Sequence, residues 1–202
     1  GGATSMDVGD VNGDGVPDLI MASHDAPNRV YYGDPTRPGD WSSTKHDEFG
    51  SVGDGTIGIE VVDLDNDPAT PPDIVVANEK AIDQLYLGLY SDAQSTGAGT
   101  GLFDRRYTEK SIPTTLPAAG TTTDVSVEKG LGSDADSFIA VFTNSDFLTQ
   151  VIELSPTKKA GILDFTSPLT ALDVKILDSG TSGSNTQSVE VVDVTGDGVK
   201  DV

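Results

Sequence analysis

One pattern occurs three times along this chain and once more in worn form, and a chain that repeats itself must fold as a series of like units. The segments are SMDVGDVNGDGVPDLIMAS from Ser5, IEVVDLDNDPATPPDIVVAN from Ile59 and SVEVVDVTGDGVKDV from Ser188. In each, an alternating run ends in an acid, a short Asp/Asn/Gly loop follows, and a second acid opens another aliphatic run. The first loop acids, Asp10, Asp63 and Asp193, lie 53 and then 130 residues apart. Since 130 is twice 65, a degenerate copy is expected near residue 128, where DVSVEKGLGSDADSFIAVFTN keeps the rhythm but few of the acids. Other landmarks share the phase: NRVYYG ends at Gly33 and DQLYLG at Gly88, 55 residues later. The repeats are placed at about 1–54, 55–119, 120–184 and a truncated 185–202.

Within the unit, period-2 alternation dominates, as in Val61 and Asp63 against Val62 and Leu64, which is the signature of strands. The best helical candidate, residues 78–90, is set aside because NRVYYG, its counterpart in the first repeat, is too short for a helix. The 23 glycines and 11 prolines fall largely between the runs, where turns need them. Repeats of about 40–50 residues or more, each a small antiparallel sheet, point to a β-propeller. The expected fold is all-β: four-stranded antiparallel blades, about three plus the start of a fourth, as part of a larger propeller.

Charge narrows the function. The chain carries 33 acids against 12 bases, a formal net charge of −21. A nucleic-acid surface needs clustered Lys and Arg, and an anionic membrane recruits basic segments, so neither partner is expected. No apolar run approaches the ~18 residues that span a bilayer. High charge also marks disordered chains, but 36 % apolar residues gathered in runs such as DIVVAN supply a core. With no cysteine, disulfides, thiolate metal sites and cysteine nucleophiles are excluded.

Much of the acid is in the loops. In GDVNGDGVPDL, Asp10, Asn12 and Asp14 stand at positions 1, 3 and 5, Gly15 at 6, Val16 at 7 and Asp18 at 9. Oxygen side chains at alternate positions of a tight loop converge, a glycine permits the turn, and the carbonyl at position 7 faces inward. That set suits Ca²⁺, which takes hard oxygen ligands. A hydrogen-bonded Asp/Asn turn is the competing reading, and it accounts for only one or two of these acids. An EF-hand needs a Glu at position 12, where Met21 and Ile74 stand instead, both in strand-like runs.

A fixed acid at position 9 followed by strand residues resembles the FG-GAP/VCBS repeat of integrin α-subunit propellers and many secreted microbial and algal proteins. In that family the loop joins the first two strands of a blade and binds Ca²⁺. The resemblance implies ligands at Asp10, Asn12, Asp14, Val16 through its carbonyl, and Asp18. In the fourth loop it implies Asp193, Thr195, Asp197, Val199 through its carbonyl, and Asp201, with the Thr195 hydroxyl a weaker ligand than Asn. In the second it implies Asp63, Asp65, Asp67 and Asp73, although Pro68 replaces the glycine and two extra residues precede Asp73. The third loop keeps only Glu128, Asp134 and Asp136, out of phase, and is expected to be metal-free. Two or three Ca²⁺ ions are therefore expected. Loops one, two and four hold ten of the 33 acids, and three ions would bring −21 to −15.

No catalytic constellation stands out. His24 and His46 lie near no nucleophile motif and are read as surface polar residues. Trp41, Tyr31, Tyr32 and Tyr86 are read as packing residues before a sugar platform. The chain is thus expected to be a non-enzymatic, calcium-binding structural or adhesion protein, extracellular or on the cell surface. Its expected partners are other extracellular proteins or glycans, or further copies in a filament or matrix. The alternatives are a lectin-like propeller, or a non-catalytic module attached to a secreted hydrolase or lyase.

Overall fold

The computed structural model describes residues 2–41, 46–64, 70–88, 107–111, 122–129, 138–144, 150–155, 157–159, 162–164, 170–176, 188–192 and 194–195. The first sheet runs β1 (Ala3–Gly9), β2 (Asp18–Ser23), β3 (Asn28–Tyr31) and β4 (His46–Phe49), paired antiparallel in that order. The second repeats the plan with β5 (Thr56–Val62), β6 (Asp73–Asn78), β7 (Gln84–Gly88) and β8 (Tyr107–Ser111). The third joins β9 (Thr122–Lys129), β10 (Phe138–Asn144), β11 (Gln150–Ser155) and β14 (Thr170–Ile176). A two-stranded hairpin, β12 (Thr157–Lys159) and β13 (Ile162–Asp164), lies between β11 and β14 in sequence. Among the described residues there is no helix, so none is long and apolar enough to cross a membrane. The fold is all-β, as expected, and residues 84–88 of the helical candidate form a strand.

The register repeats with the sequence. Gly9 faces Asp18 across β1 and β2, and Val62 faces Asp73 across β5 and β6. Counting back from those pairs, Asp7, Glu60 and Ser126 occupy one equivalent position in β1, β5 and β9, opposite Ile20, Val75 and Val141.

Alternation along the strands divides the core in two. All six residues of β6 are buried. Ile74 and Val76 join Ile20, Ala22, Val30 and Phe49 of the first sheet in one cluster. Val75 and Ala77 join Val125, Val127, Ala140 and Phe142 of the third sheet in the other. A strand covered on both faces reads as a continuous aliphatic run, which is why DIVVAN lacks a polar side. Val11 and Leu64, the residues just after the first loop acids, each plug one of these clusters.

Side chains also tie sheet to sheet. Strands β1, β5 and β9 are sheet edges, so their outward N–H groups have no strand partner and must find acceptors elsewhere. The Val61 N–H donates to Asp7 Oδ2 at 2.7 Å, and the Val127 N–H to Glu60 Oε2 at 2.6 Å. The Val191 N–H donates to Ser126 Oγ at 3.3 Å, which brings residues 188–192 alongside the third sheet. Toward the far end of the strands, Asn28 accepts from the Ser23 N–H and donates to Thr56 Oγ1, while Asp83 accepts from the Asn78 N–H and from Thr122 Oγ1. A net hydrogen bond is worth about 1 kcal/mol and a buried aliphatic side chain about 1.5–3 kcal/mol. The apolar clusters therefore hold the sheets together, and the polar ties fix their registration.

The Gly33 and Gly88 landmarks have a steric cause. A Cβ on Gly88 would lie 2.1 Å from the Pro71 carbonyl oxygen, and one on Gly33 would lie 2.5 Å from that of Pro17. Backbone cannot yield as a flexible side chain does. Gly88→Ala is expected to lower stability by about 1–3 kcal/mol or more, read as a drop in the urea midpoint.

Candidate cation-binding loops

The first loop joins β1 to β2 and folds around its own acids. Gly15 turns the chain at φ 83°, in the region glycine enters without steric penalty. Asp10 accepts three loop N–H groups: Gly13 at 2.7 Å and Asp14 at 3.1 Å on Oδ1, and Gly15 at 2.7 Å on Oδ2. Asn12 Oδ1 accepts the Asp14 N–H, and Asp14 Oδ1 the Val16 N–H, each at 2.8 Å. Asp10, Asn12 and Asp14 thus share one tight loop, as the spacing requires. The hydrogen-bonded Asp/Asn turn is present, and it engages Asp10, Asn12 and Asp14.

Asp18 does something the sequence did not reveal. It is fully buried, and both oxygens take backbone donors: Val11 N–H on Oδ2 at 3.0 Å and Gly33 N–H on Oδ1 at 2.8 Å. Asp73 repeats this in the second sheet, with Leu64 N–H at 3.0 Å and Gly88 N–H at 2.9 Å. The acid at position 9 is therefore a staple, fastening the start of the loop to the end of the third strand. In the third sheet the matching place, opposite Glu128, is held by Ile139 rather than by an acid. Burial pushes the Asp18 carboxyl up to about 6. The charges of Asp14 and Asp10 push the same way, against the two backbone donors.

The remaining expected ligands are only partly placed. Asp63 follows directly on β5, and Thr195 is exposed. Asp65, Asp67, Asp193, Asp197, Val199 and Asp201 lie outside the described residues, as do Asp134 and Asp136. Among the described residues, no three acidic or imidazole side chains form a group that could hold a metal ion. The donor chemistry of the first loop still fits a hard cation. Its side-chain acceptors are all oxygen, and Asp10 Oδ2 and Asp14 Oδ1 each take a single loop N–H, so a second lone pair remains on each.

A second polar cluster went unread in the sequence. His24 Nε2 sits 2.6 Å from Glu79 Oε2 and Nδ1 sits 2.7 Å from Asp25 Oδ1, so the imidazole bridges the first and second sheets. The Glu79 and Asp25 carboxylates raise its pKa, with Glu79 the larger influence. Nothing near His24 in sequence betrays Glu79, 55 residues on. Of the aromatics, Tyr86 is buried edge-on against Phe49 with ring centroids 5.1 Å apart, which is a packing role.

No curated protein matches the chain. A protein-family model does, over residues 3–68, and its description is the FG-GAP-like repeat. The match runs from β1 through the first acid loop and first sheet into the second acid loop. Over residues 3–68 the chain is similar to an FG-GAP-like repeat.

Proposed function

We propose that this chain is a calcium-stabilised, non-catalytic repeat module with a structural or adhesive role outside the cell. The observation that carries the reading is the first loop, where Asp10, Asn12 and Asp14 present side-chain oxygens at alternate positions of one glycine-permitted turn. Asp10, Asn12 and Asp14 would hold the ion through their side chains and Val16 through its carbonyl. Asp18 anchors the loop from beneath. Bound Ca²⁺ supplies positive charge to a loop whose acids otherwise repel one another, and so rigidifies it. Extracellular sites of this class have Kd of order 10⁻⁴–10⁻³ M. That range goes with surroundings rich in calcium and with the net charge of −21.

The test is a melting curve in chelator and in Ca²⁺. At 10 to 100 times Kd, mass action adds about 1.4–2.7 kcal/mol to the native state. The midpoint is expected to rise accordingly, and the rise to shrink in Asp10→Asn/Asp14→Asn. An unchanged midpoint in saturating Ca²⁺ overturns the reading.

A further inference from the structure

The first two repeats carry opposite charges at one equivalent place. Ser23 and Asn78 each end the second strand of their sheet. His24 and Asp25 therefore stand where Glu79 and Lys80 stand, imidazole then acid in one turn, acid then ammonium in the next. The fold brings the two turns together. His24 Nε2 lies 2.6 Å from Glu79 Oε2, and Lys80 Nζ lies 3.7 Å from Asp25 Oδ1. Each turn is braced from within its own repeat. The Ser23 N–H donates to Asn28 Oδ1, which closes the first. The Glu79 and Lys80 N–H groups donate to the Gly55 and Asp54 carbonyls at 2.9 and 3.0 Å. The Lys80 stem lies across Gly55, where a Cβ would meet it at 3.0 Å.

The imidazole is held on both sides. Nδ1 lies 2.7 Å from Asp25 Oδ1 while Nε2 meets Glu79. A carboxylate only accepts, and a neutral imidazole has one N–H and one lone pair. Two such contacts need two donors, so the geometry is that of an imidazolium. The ring is then one of two cations balancing two acids, with Lys80 the other. The remaining acids on the turns packed here are engaged elsewhere. Asp54 Oδ2 accepts the Ser51 N–H, and Asp83 accepts from Asn78 and Thr122. Loss of a ring proton to water leaves one carboxylate facing a lone pair and the cluster with one negative charge in excess. Charge-assisted hydrogen bonds are about twice as strong as neutral ones, so the contact that survives is weakened too.

We propose that these four side chains form a proton-gated latch between the first and second repeats, closed while the imidazole holds two protons and released when it gives one up. The opposite order of charge also selects the neighbour, since two turns of one kind would set like against like. Glu79 and then Asp25 raise the His24 pKa above its ordinary 6.5, against partial burial and the charge of Lys80. A group raised on folding stabilises fully below its unfolded value and loses that contribution as the pH climbs through the folded one. The latch is thus complete below about pH 6.5 and opens above it. It sits at the opposite end of β2 from the first acid loop and does not rest on calcium.

Two measurements in chelator test this. The first is an NMR titration of the chain's two histidines, with the His24 signals assigned by their loss in His24→Gln. The His24 midpoint is expected above 6.5 in wild type and lower in Glu79→Gln. The second is a double-mutant cycle read by urea unfolding. At pH 5 the losses from His24→Gln and Glu79→Gln are expected to sum to more than the loss in the double variant. At pH 9 that excess is expected to shrink. Buried Asp83 and Glu60 titrate over the same range in all four chains, so their contribution cancels within the cycle. A His24 midpoint at or below 6.5 overturns the proposal. So does a cycle with no coupling at pH 5, or one undiminished at pH 9.

Discussion

Asp18→Ala is expected to cost the fold about 2–5 kcal/mol, and Asp73→Ala as much, even in the absence of calcium. Asp18→Ala strips the acceptor from the Gly33 N–H and leaves the Val11 N–H only the Gly9 carbonyl at 3.0 Å, and Asp73→Ala removes the carboxylate that Leu64 and Gly88 donate to. A buried donor left without a partner costs about 1–3 kcal/mol. A domain's whole margin is about 5–15 kcal/mol, so one staple is a large fraction of it. Urea unfolding in chelator measures the loss directly. Asp18→Asn, which keeps one carbonyl oxygen, should fall between wild type and alanine. If the alanine variant unfolds like wild type in chelator and differs only in Ca²⁺, Asp18 is a ligand and not a staple.

Stability is also expected to fall as the pH rises from about 5 to 9. Burial pushes the Asp83 carboxyl up to about 7, opposed by hydrogen bonds from Asn78 and Thr122. Burial likewise pushes Glu60 up to about 8, with the charges of Asp7, Glu128 and Asp124 adding to the rise. Both folded values exceed the ordinary ones of 3.8 and 4.5. Over that range the native state keeps protons that the unfolded chain has released. Their contribution is complete below about pH 4 and is lost as the pH climbs through 7 and then 8. For Asp83 the loss is on the order of 4 kcal/mol, and for the partly exposed Glu60 it is smaller because solvent screens it. The chain already contains the remedy. At the equivalent place in the first sheet Asn28 meets the equivalent partners without a charge, its carbonyl accepting Ser23 N–H and its amide donating to Thr56, where Asp83 accepts from Thr122. Asp83→Asn is therefore expected to melt higher than wild type at pH 9 and close to it at pH 5. A flat melting profile for wild type between those values overturns this account.

What could be read in the sequence was what repeats locally. Strands β1, β2, β5, β6, β9 and β10 follow from alternation and from acid loops bounded by aliphatic runs. Gly33 and Gly88 were visible as landmarks because each ends a short aromatic-rich run, though the carbonyl that forbids a side chain there was not. The inter-sheet ties were not legible. A bond from Val61 to Asp7 joins residues 54 apart, and no local pattern encodes it. The trace it leaves is a polar side chain at one fixed place in each edge strand: Asp7, Glu60, Ser126. The backbone-fastening role of Asp18 and Asp73 was hidden for a different reason. An acid that opens a strand after a loop of acids looks like one more ligand, and only burial distinguishes the residue that fastens the backbone. The β12–β13 hairpin escaped notice because three-residue strands are too short to show a period.

The two-sided burial of β6 has an evolutionary consequence. In a strand with one free face, alternate positions can drift while the other half is held by the core. In β6 neighbouring residues belong to different cores, Val75 to one and Val76 to the other. A change at either must be matched by its own partners in a different sheet, tens of residues away. The middle repeat is thus the least free to diverge within its strands, and its variation is pushed outward into the loops. There the sequence of the second loop does differ from the first, with Pro68 in place of the glycine and two residues added before Asp73.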